Sequence, residues 1–251
     1  MNNYLPTDYQ SFIHKSRYAK YIEGVGRESW SDTVERFLVN IVGDKVDQKT
    51  KAQLEEAILS LDVMPSMRSL MTAGPAAERD NTCMYNCSYL PIDNVKAFDE
   101  AMFILLCGTG VGFSVERQFI SKLPDVPTLY QSETNIVVKD SKEGWAKALR
   151  QLIALLYSGE IPTWDVSQVR PAGAPLKTFG GRASGPAPLV DLFNFTIHTF
   201  RNAAGRRLSS IEVHDVMCKI GEVVVVGGVR RSAMISLSNL SDDRMRHAKS
   251  G

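Results

Sequence analysis

The stretch AFDEAMFILLCGTGVGFSVE, residues 97–116, decides the fold, because an apolar run changes there into a glycine repeat. Residues 95–107 are strongly apolar on one face, which predicts a helix that Gly108 ends. Gly108, Gly110 and Gly112 occupy alternate positions, and glycine lets the backbone pass close to a bulky group. The dinucleotide-binding fingerprint follows a strand, so the context of this repeat does not match it. Taken alone, the repeat is more typical of a tight turn than of a binding site.

Outward from this stretch, the spacing of apolar residues predicts helices separated by a few strands. The predicted helical regions are 1–75, 95–107, 141–158, 189–204 and the segment after Ser209, and the predicted strands are 86–91 (NCSYLP) and 232–238. A long loop over 162–188 is the kind of segment that is usually functional or disordered. This order of elements predicts an α/β fold, which we divide into a helical region, 1–65, and a larger domain, 66–251.

Two kinds of local signal support the predicted helices. Thr50 with Gln53, and Ser209 with Glu212, have the spacing of a capping box at a helix start. Apolar residues also recur at helical spacing in two stripes, which predicts that they are buried. The stripes are Trp30, Val34, Phe37, Leu38 and Ile41, and Trp145, Leu149, Leu152, Ile153 and Leu156.

Charge and hydropathy exclude several classes of partner. The chain has 29 basic and 28 acidic residues, so it has no global field that would attract nucleic acid or an anionic membrane. No apolar run reaches the ~18 residues that a membrane-spanning helix needs. The N-terminus lacks a basic stretch followed by an apolar one, so no signal peptide is predicted and a cytoplasmic location is expected, in the host if a phage encodes the chain.

Four cysteines, at 83, 87, 107 and 218, are expected to be thiols in a reducing compartment. Cys83 and Cys87 form a C-x3-C pair, but no second pair or histidine cluster completes a zinc site, so no metal site is predicted. From the residues alone, Cys87 is most simply a buried small hydrophobe. Cys107 and Cys218 are expected to pack between helices.

Two loops carry paired cations beside glycines. In RPAGAPLKTFGGRASGP, residues 170–186, Lys177 and Arg182 suit a polyphosphate, although an exposed linker with ordinary surface charge fits equally well. In VGGVRRSA, residues 226–233, Gly227 and Gly228 precede two arginines. Taken alone, that second loop is better explained as a simple helix-to-strand turn with solvated arginines.

Taken together and in order, these segments resemble the first half of a ribonucleotide reductase catalytic chain, most closely of the adenosylcobalamin-dependent kind. The segments that carry the resemblance are PSMRSLMTAGP, NCSYLPID, AFDEAMFILLCGTGVGFSVE, RPAGAPLKTFGGRASGP and GGVRRSAMISLSNLSDDRMRHAKSG, and they lie within residues 65–251. Each motif is weak alone, but their joint order is specific.

The resemblance implies a role for each matching residue. Cys87 would be the N-terminal cysteine of the pair that reduces the substrate and becomes a disulfide. Ser66, Ser69 and Asn86 fall where the family contacts substrate phosphate or ribose, and residues 108–112 match a loop near the substrate.

The two basic loops match the family's specificity loops. Residues 170–186 resemble the first, and 227–233 resemble the second, in which Arg230 matches an arginine that reaches the substrate base. The implied effector contacts are Lys177, Arg182, Gly227 and Gly228, and the implied effector is a dNTP or ATP.

The family fold is a ten-stranded α/β barrel around a finger loop, and this chain is expected to build its first half with an N-terminal helical cap. The radical cysteine belongs to an Asn-x-Cys-x-Glu segment that does not occur before Gly251. The expected partners are the C-terminal half, which would hold most of the adenosylcobalamin, a ribonucleotide substrate, the effector and a thioredoxin-like reductant. Without that half, the chain is expected to be inactive.

A split gene, an intervening element such as an intein, or a fragment would each explain such a chain. Two other function classes stay open from the residues. One is a non-catalytic nucleotide-binding or regulatory half-domain that keeps the specificity loops, and the other is a purely structural partner.

Overall fold

The structure is a computed structural model that describes residues 4–174, 182–226 and 233–250. It divides into two compact units, the first ending at Asn86 and the second beginning at Cys87. The predicted domain ranges, 1–65 and 66–251, remain a prediction about the family's domains. The compact units divide later because residues after 65 pack with the first unit, where Leu70 is fully buried among residues of the helical core.

The first unit is mainly helical. Its elements are α1 (Asp8–Ile13), which continues into a π-helical turn (His14–Tyr18), β1 (Tyr21–Ile22), β2 (Gly26–Arg27), α2 (Trp30–Phe37) with a π-helical turn (Leu38–Val42), α3 (Gln48–Leu59), α4 (Met67–Thr72), α5 (Pro75–Arg79) and a 3-10 turn (Asn81–Met84). The predicted stripe from Trp30 to Leu38 is buried, and Ile41 packs against it. The predicted Thr50–Gln53 capping box is wrong, because Asp47 caps α3 and its carboxylate accepts from the Thr50 N–H at 2.7 Å.

The second unit alternates strands and helices. Its elements are β3 (Cys87–Pro91), α6 (Ala97–Leu106), β4 (Gly110–Ser114), α7 (Arg117–Ile120), β5 (Tyr130–Val137), α8 (Lys142–Tyr157), β6 (Glu160–Asp165), α9 (Ala187–Asn202), α10 (Ser210–Val226), β7 (Met234–Leu237) and α11 (Asp243–Arg246). The α/β prediction is therefore confirmed.

Two parallel sheets organise this unit. One has the order β3-β4-β7, and the other pairs β5 with β6. Because parallel strands cannot be joined by a tight turn, a crossover must connect them, and α6 provides it between β3 and β4. The connection from β4 to β7 contains all the elements from α7 to α10.

Helices α6, α8, α9 and α10 share one apolar core with the strands. All five residues of the predicted stripe in α8 are buried, which confirms that prediction. At the start of α10, the Glu212 carboxylate accepts from the Ser209 N–H at 2.8 Å, as predicted. Glu212 also binds Arg206, and that hydrogen bond holds the pKa of Glu212 at about 2.

Sequence predictions for β4, β6 and α10 of this unit are wrong. Residues 110–114 of the glycine repeat form a strand instead of a turn, and the predicted loop from 162 begins as strand β6. Cys218 is exposed instead of packed between helices. Within the described ranges, no helix is long and apolar enough to cross a membrane.

Candidate functional site

The candidate site is one face of the β3-β4-β7 sheet, which we call the open face. Side chains alternate between the two faces of a strand. One face packs on α6 and α10, and the other carries residues that are exposed or half-exposed within the described chain. The open face consists of Cys87, Tyr89, Gly110, Gly112, Ile235 and Leu237.

Cys87 begins β3 at the edge of the sheet and lies opposite Gly110 of β4. The Ser88 hydroxyl donates to the Gly110 carbonyl at 2.9 Å, which fixes the two strands beside the thiol. The expectation of a strand over NCSYLP is confirmed, but the expectation that it is buried is wrong for Cys87, which is exposed. The reason is that alternation directs Leu90 to the core and Cys87 to the open face.

The glycine repeat shapes the space beside this thiol. Gly108 has φ +83°, which favours glycine, and its N–H bonds to the Leu105 carbonyl at 2.8 Å where α6 ends. A Cβ added to Gly112 would lie 3.2 Å from Cγ2 of Ile235 and 3.9 Å from Cδ2 of Tyr89. Gly112 therefore lets the Ile235 and Tyr89 side chains lie close to β4, and Gly110, opposite Cys87, adds no side chain beside the thiol.

Tyr89 was not among the predicted site residues. Its ring is 53% exposed on the open face, and it lies opposite Gly112. The alternation of Cys87 and Tyr89 within a short strand could have indicated it, because residues at i and i+2 share a face.

The predicted substrate residues Ser66, Ser69 and Asn86 lie in the first unit. Ser66 is exposed and precedes α4, where its side chain makes no capping hydrogen bond, and Ser69 lies one turn later. Asn86 is exposed at the end of the unit, directly before Cys87 in the sequence. The two serines are therefore neighbours on one short helix.

A buried polar network holds the C-terminal end of α4. The Arg36 guanidinium donates to the carbonyls of Leu70 and Ala73 at 2.8 and 3.0 Å, and the Lys20 ammonium donates to the Ala73 carbonyl. The Glu28 carboxylate pairs with Arg36 and accepts from the Thr33 hydroxyl at 2.8 Å. These cations satisfy carbonyls that a helix end leaves without intrahelical partners.

Burial, hydrogen bonds and neighbouring charges together set the pKa values of Glu28 and Lys20 in this network. Burial raises the pKa of Glu28, but hydrogen bonds from Arg36 and Thr33 outweigh it and hold that pKa below its ordinary value. Burial lowers the pKa of Lys20, and the nearby Arg36 lowers it further. The network is thus a structural support for α4 and its two serines.

Of the predicted effector residues, only Arg182 is described. It is exposed, and its guanidinium donates to the Gly173 carbonyl at 2.8 Å. The Gly173 N–H donates to the Ala183 carbonyl, and the Ala183 N–H donates to the Ala174 carbonyl, each at 2.8 Å. These bonds join the two ends of the basic loop.

The remaining predicted positions, Lys177, Gly227, Gly228 and Arg230, lie outside the described residues. The elements that flank the second loop are described. α10 leads into it, and β7 follows it, where the Ala233 carbonyl accepts from the Val111 N–H at 2.9 Å. The loop thus connects directly to a strand of the open face.

The described part of the chain contains no group of three or more metal-ligating side chains. The open face likewise carries a thiol, a phenol, aliphatic groups and glycines instead of a cluster of polar groups. These residues offer few polar groups to hold the amide side chains of a corrin cofactor, so by themselves they do not fit that group.

Comparison with known proteins identifies relatives of the chain. The family model for the B12-dependent ribonucleotide reductase insertion domain matches residues 119–199. An adenosylcobalamin-dependent ribonucleoside-triphosphate reductase from Lactobacillus delbrueckii subsp. bulgaricus is 30% identical over 91% of this chain and 41% of the relative. The predicted resemblance to the adenosylcobalamin-dependent ribonucleotide reductases is confirmed.

Two further comparisons give the same resemblance. A reductase of the same description from Lactobacillus helveticus is 26% identical over 90% of this chain and 40% of its own. The crystal structure of a B12-dependent, class II ribonucleotide reductase superposes with a TM-score of 0.80, at 24% identity, over 95% of this chain and 43% of that one. The chain thus spans about two fifths of the length of these reductases.

The segment matched to the reductase insertion domain has a clear place in the fold. Residues 119–199 contain β5, α8, β6 and most of α9, and they lie between β4 and β7 in the sequence. Since β4 and β7 are neighbours in the sheet, the matched segment is inserted into a crossover between adjacent strands. It also includes the basic loop with Lys177 and Arg182.

Proposed function

We propose that the chain is the N-terminal part of an adenosylcobalamin-dependent ribonucleotide reductase that reduces ribonucleoside triphosphates to 2′-deoxyribonucleotides. The observation that carries this proposal is an exposed cysteine on a glycine-lined sheet face, in a chain similar to such reductases over about nine tenths of its length. Those relatives are adenosylcobalamin-dependent ribonucleoside-triphosphate reductases, which indicates the triphosphate substrate and the cofactor.

Cys87 supplies one sulfur of the reducing pair. Replacing the ribose 2′-hydroxyl by hydrogen consumes two electrons and two protons and releases water, and a dithiol that becomes a disulfide provides both. The second sulfur belongs to a later segment of the family's chain, as does the radical cysteine. Gly110 and Gly112 leave room for a ribose to approach the Cys87 sulfur.

The first unit contributes substrate contacts. The hydroxyls of Ser66 and Ser69 and the amide of Asn86 are short polar groups that hydrogen-bond phosphate or ribose oxygens. The Arg36 network supports α4, so it fixes the backbone from which the two serines project. An enzyme gains rate from such positioning because the reacting groups are oriented before the reaction.

The two loops regulate the choice of substrate. Lys177 and Arg182 bind the phosphates of a dNTP or ATP effector, Gly227 and Gly228 also contact that effector, and Arg230 reads the substrate base. Arg182 is exposed on a loop closed by three hydrogen bonds, which leaves its charge available to an anion.

The chain forms the helical cap and the first half of the ten-stranded barrel, and the remaining barrel segments complete the site and hold most of the adenosylcobalamin. A cofactor of this class supplies the radical chemistry, while the protein binds and orients the substrate. A thioredoxin-like protein then re-reduces the Cys87 disulfide. The three parallel strands β3, β4 and β7 are consistent with this barrel half.

Substitution of Cys87 in the full-length reductase tests this proposal. Cys87→Ser should abolish multiple turnovers, because serine cannot form the disulfide that stores the two electrons. Deoxynucleotide formed per enzyme, with dithiol and adenosylcobalamin supplied, is the measurement.

Cys218→Ser is the matched control, since both thiols are exposed but Cys218 lies on α10 instead of the open face. Its turnover should stay near that of the native protein. Sustained turnover by Cys87→Ser would reject the assignment. Nucleotide binding without turnover, by the native full-length protein, would favour a regulatory half-domain instead.

A further inference from the structure

Helix α10 carries a histidine and a cysteine one turn apart, away from the open face. Residues at i and i+4 are neighbours on a helix surface. Nε2 of His214 lies 3.5 Å from Sγ of Cys218, and Nδ1 lies 3.0 Å from Oδ1 of Asp215. The His214 imidazole therefore contacts both the Cys218 thiol and the Asp215 carboxylate and lies between them.

The surroundings hold the imidazole and leave the sulfur accessible. The His214 side chain is 13% exposed, and its ring centroid lies 6.1 Å from that of buried Phe113. Val213 and Met217 of the same helix are fully buried, which fixes the rotation of α10 about its axis. Cys218, at the edge of this apolar stripe, is exposed.

The contacts favour the charged form of the imidazole. The hydrogen bond with Cys218 raises the pKa of His214, burial lowers it, and the hydrogen bond with Asp215 raises it again, so that the pKa lies above its ordinary value. An imidazolium can donate one N–H to the sulfur and the other to the carboxylate. A nucleophile next to a base that a third group orients is the usual arrangement of a reactive side chain.

We propose that Cys218 is a modification site, a histidine-paired thiol that undergoes disulfide exchange with low-molecular-weight disulfides. In this step the Cys218 thiolate attacks one sulfur of the disulfide and forms a mixed disulfide. The old S–S bond breaks, its second sulfur leaves as a thiolate, and that thiolate takes the proton held between Cys218 and His214. Cys218 is oxidised and the small disulfide is reduced, so no other oxidant is needed.

The other cysteines provide internal references. Cys83 and Cys107 are buried, whereas Cys87 is exposed like Cys218. Among the described residues, no imidazole contact is found for Cys87. Loss of the His214 imidazole should therefore change the reactivity of Cys218 and leave that of Cys87 as it was.

The test measures mixed-disulfide formation at each cysteine of the full-length reduced protein by peptide mass spectrometry, with oxidised glutathione as the probe. Native Cys218 should be modified in the folded protein, and His214→Gln should slow that modification about tenfold, as expected for loss of a charge-assisted hydrogen bond. The Cys87 rate should stay constant. Asp215→Asn should slow Cys218 less, because Asp215 acts through the imidazole.

An unmodified Cys218 in the folded native protein would overturn the proposal. So would a His214→Gln rate within about twofold of the native rate, well short of the expected effect, or an equal fall at both cysteines. If His214→Gln does not fold, as judged by circular dichroism, Asp215→Asn decides in its place. A selective decrease at Cys218 supports the pairing, and an unchanged rate overturns it.

Discussion

The two faces of the β3-β4-β7 sheet are built from the same strands but differ in their side chains. The packed face carries Leu90, Val111 and Phe113, of which the last two are at most 2% exposed. The open face carries Cys87 beside Gly110 and Gly112 on the alternate positions. The packed face stabilises the fold through burial, whereas the open face gives up side-chain packing and leaves room for a ligand.

The largest expected effect is on the packed face. Phe113→Ala removes a fully buried ring that contacts the shared core, so it should lower the free energy of unfolding by about 3–5 kcal/mol. Urea denaturation of the full-length protein measures it. A loss below about 1 kcal/mol, smaller than a typical core truncation, would mean that the two faces do not differ in this way.

The neighbouring residue tests the opposite face. Gly112→Val would bring its Cβ to 3.2 Å from Cγ2 of Ile235 and 3.9 Å from Cδ2 of Tyr89, so it would crowd the middle of the open face. Strain of this kind costs about 1–3 kcal/mol, and we expect the loss in kcat/KM to exceed the loss in stability. Measuring kcat/KM and thermal melting on the same variant compares the two losses. An unchanged kcat/KM would mean that the substrate does not bind at the open face.

The basic loop is expected to act on the open face from a distance. The double substitution Lys177→Ala and Arg182→Ala should weaken dNTP binding by about 1.5–3 kcal/mol, because charge-assisted hydrogen bonds are lost. Calorimetric titration of the full-length enzyme with each dNTP measures this. Unchanged affinity would mean that residues 170–186 are a linker with ordinary surface charge.

The second loop leads directly into β7, a strand of the open face, and should have the most selective effect. Arg230→Ala should flatten the effector-dependent ranking of the four substrates, since couplings of this kind are typically ~1–3 kcal/mol. Product ratios from mixed substrates with each dNTP provide the measurement. Arg231→Ala is the control and should change the ranking less. A preserved ranking at lower overall rate in Arg230→Ala would make the loop a structural turn.

The helical cores were accessible to sequence reasoning, and the open face of the sheet was only partly so. The stripes in α2 and α8 predicted their buried residues because a helix that packs on a core repeats its apolar side chains at a fixed spacing. Glycines have no side chain to show such a spacing, so Gly110–Ser114 looked like a turn when it is the central strand. Only the register with β3 and β7 reveals it.

The exposure of Cys87 and Cys218 also could not be predicted from the sequence. Cysteine is usually buried, so its type alone suggests packing for Cys87 and Cys218. Cys87 is exposed because it begins an edge strand on the open face, and Cys218 because it lies beside the buried stripe of α10. Both facts depend on tertiary contacts. The proposed role of Cys87 comes from the family resemblance.

The most direct test of the central claim is the redox state of Cys87 after turnover without external reductant. The reduced full-length enzyme is given substrate, effector and adenosylcobalamin, then alkylated and mapped by mass spectrometry. Our account predicts that one deoxynucleotide per enzyme forms while Cys87 becomes resistant to alkylation, in a disulfide that dithiol reverses, and that Cys218 remains alkylated. Product formation with Cys87 still fully alkylated would contradict it.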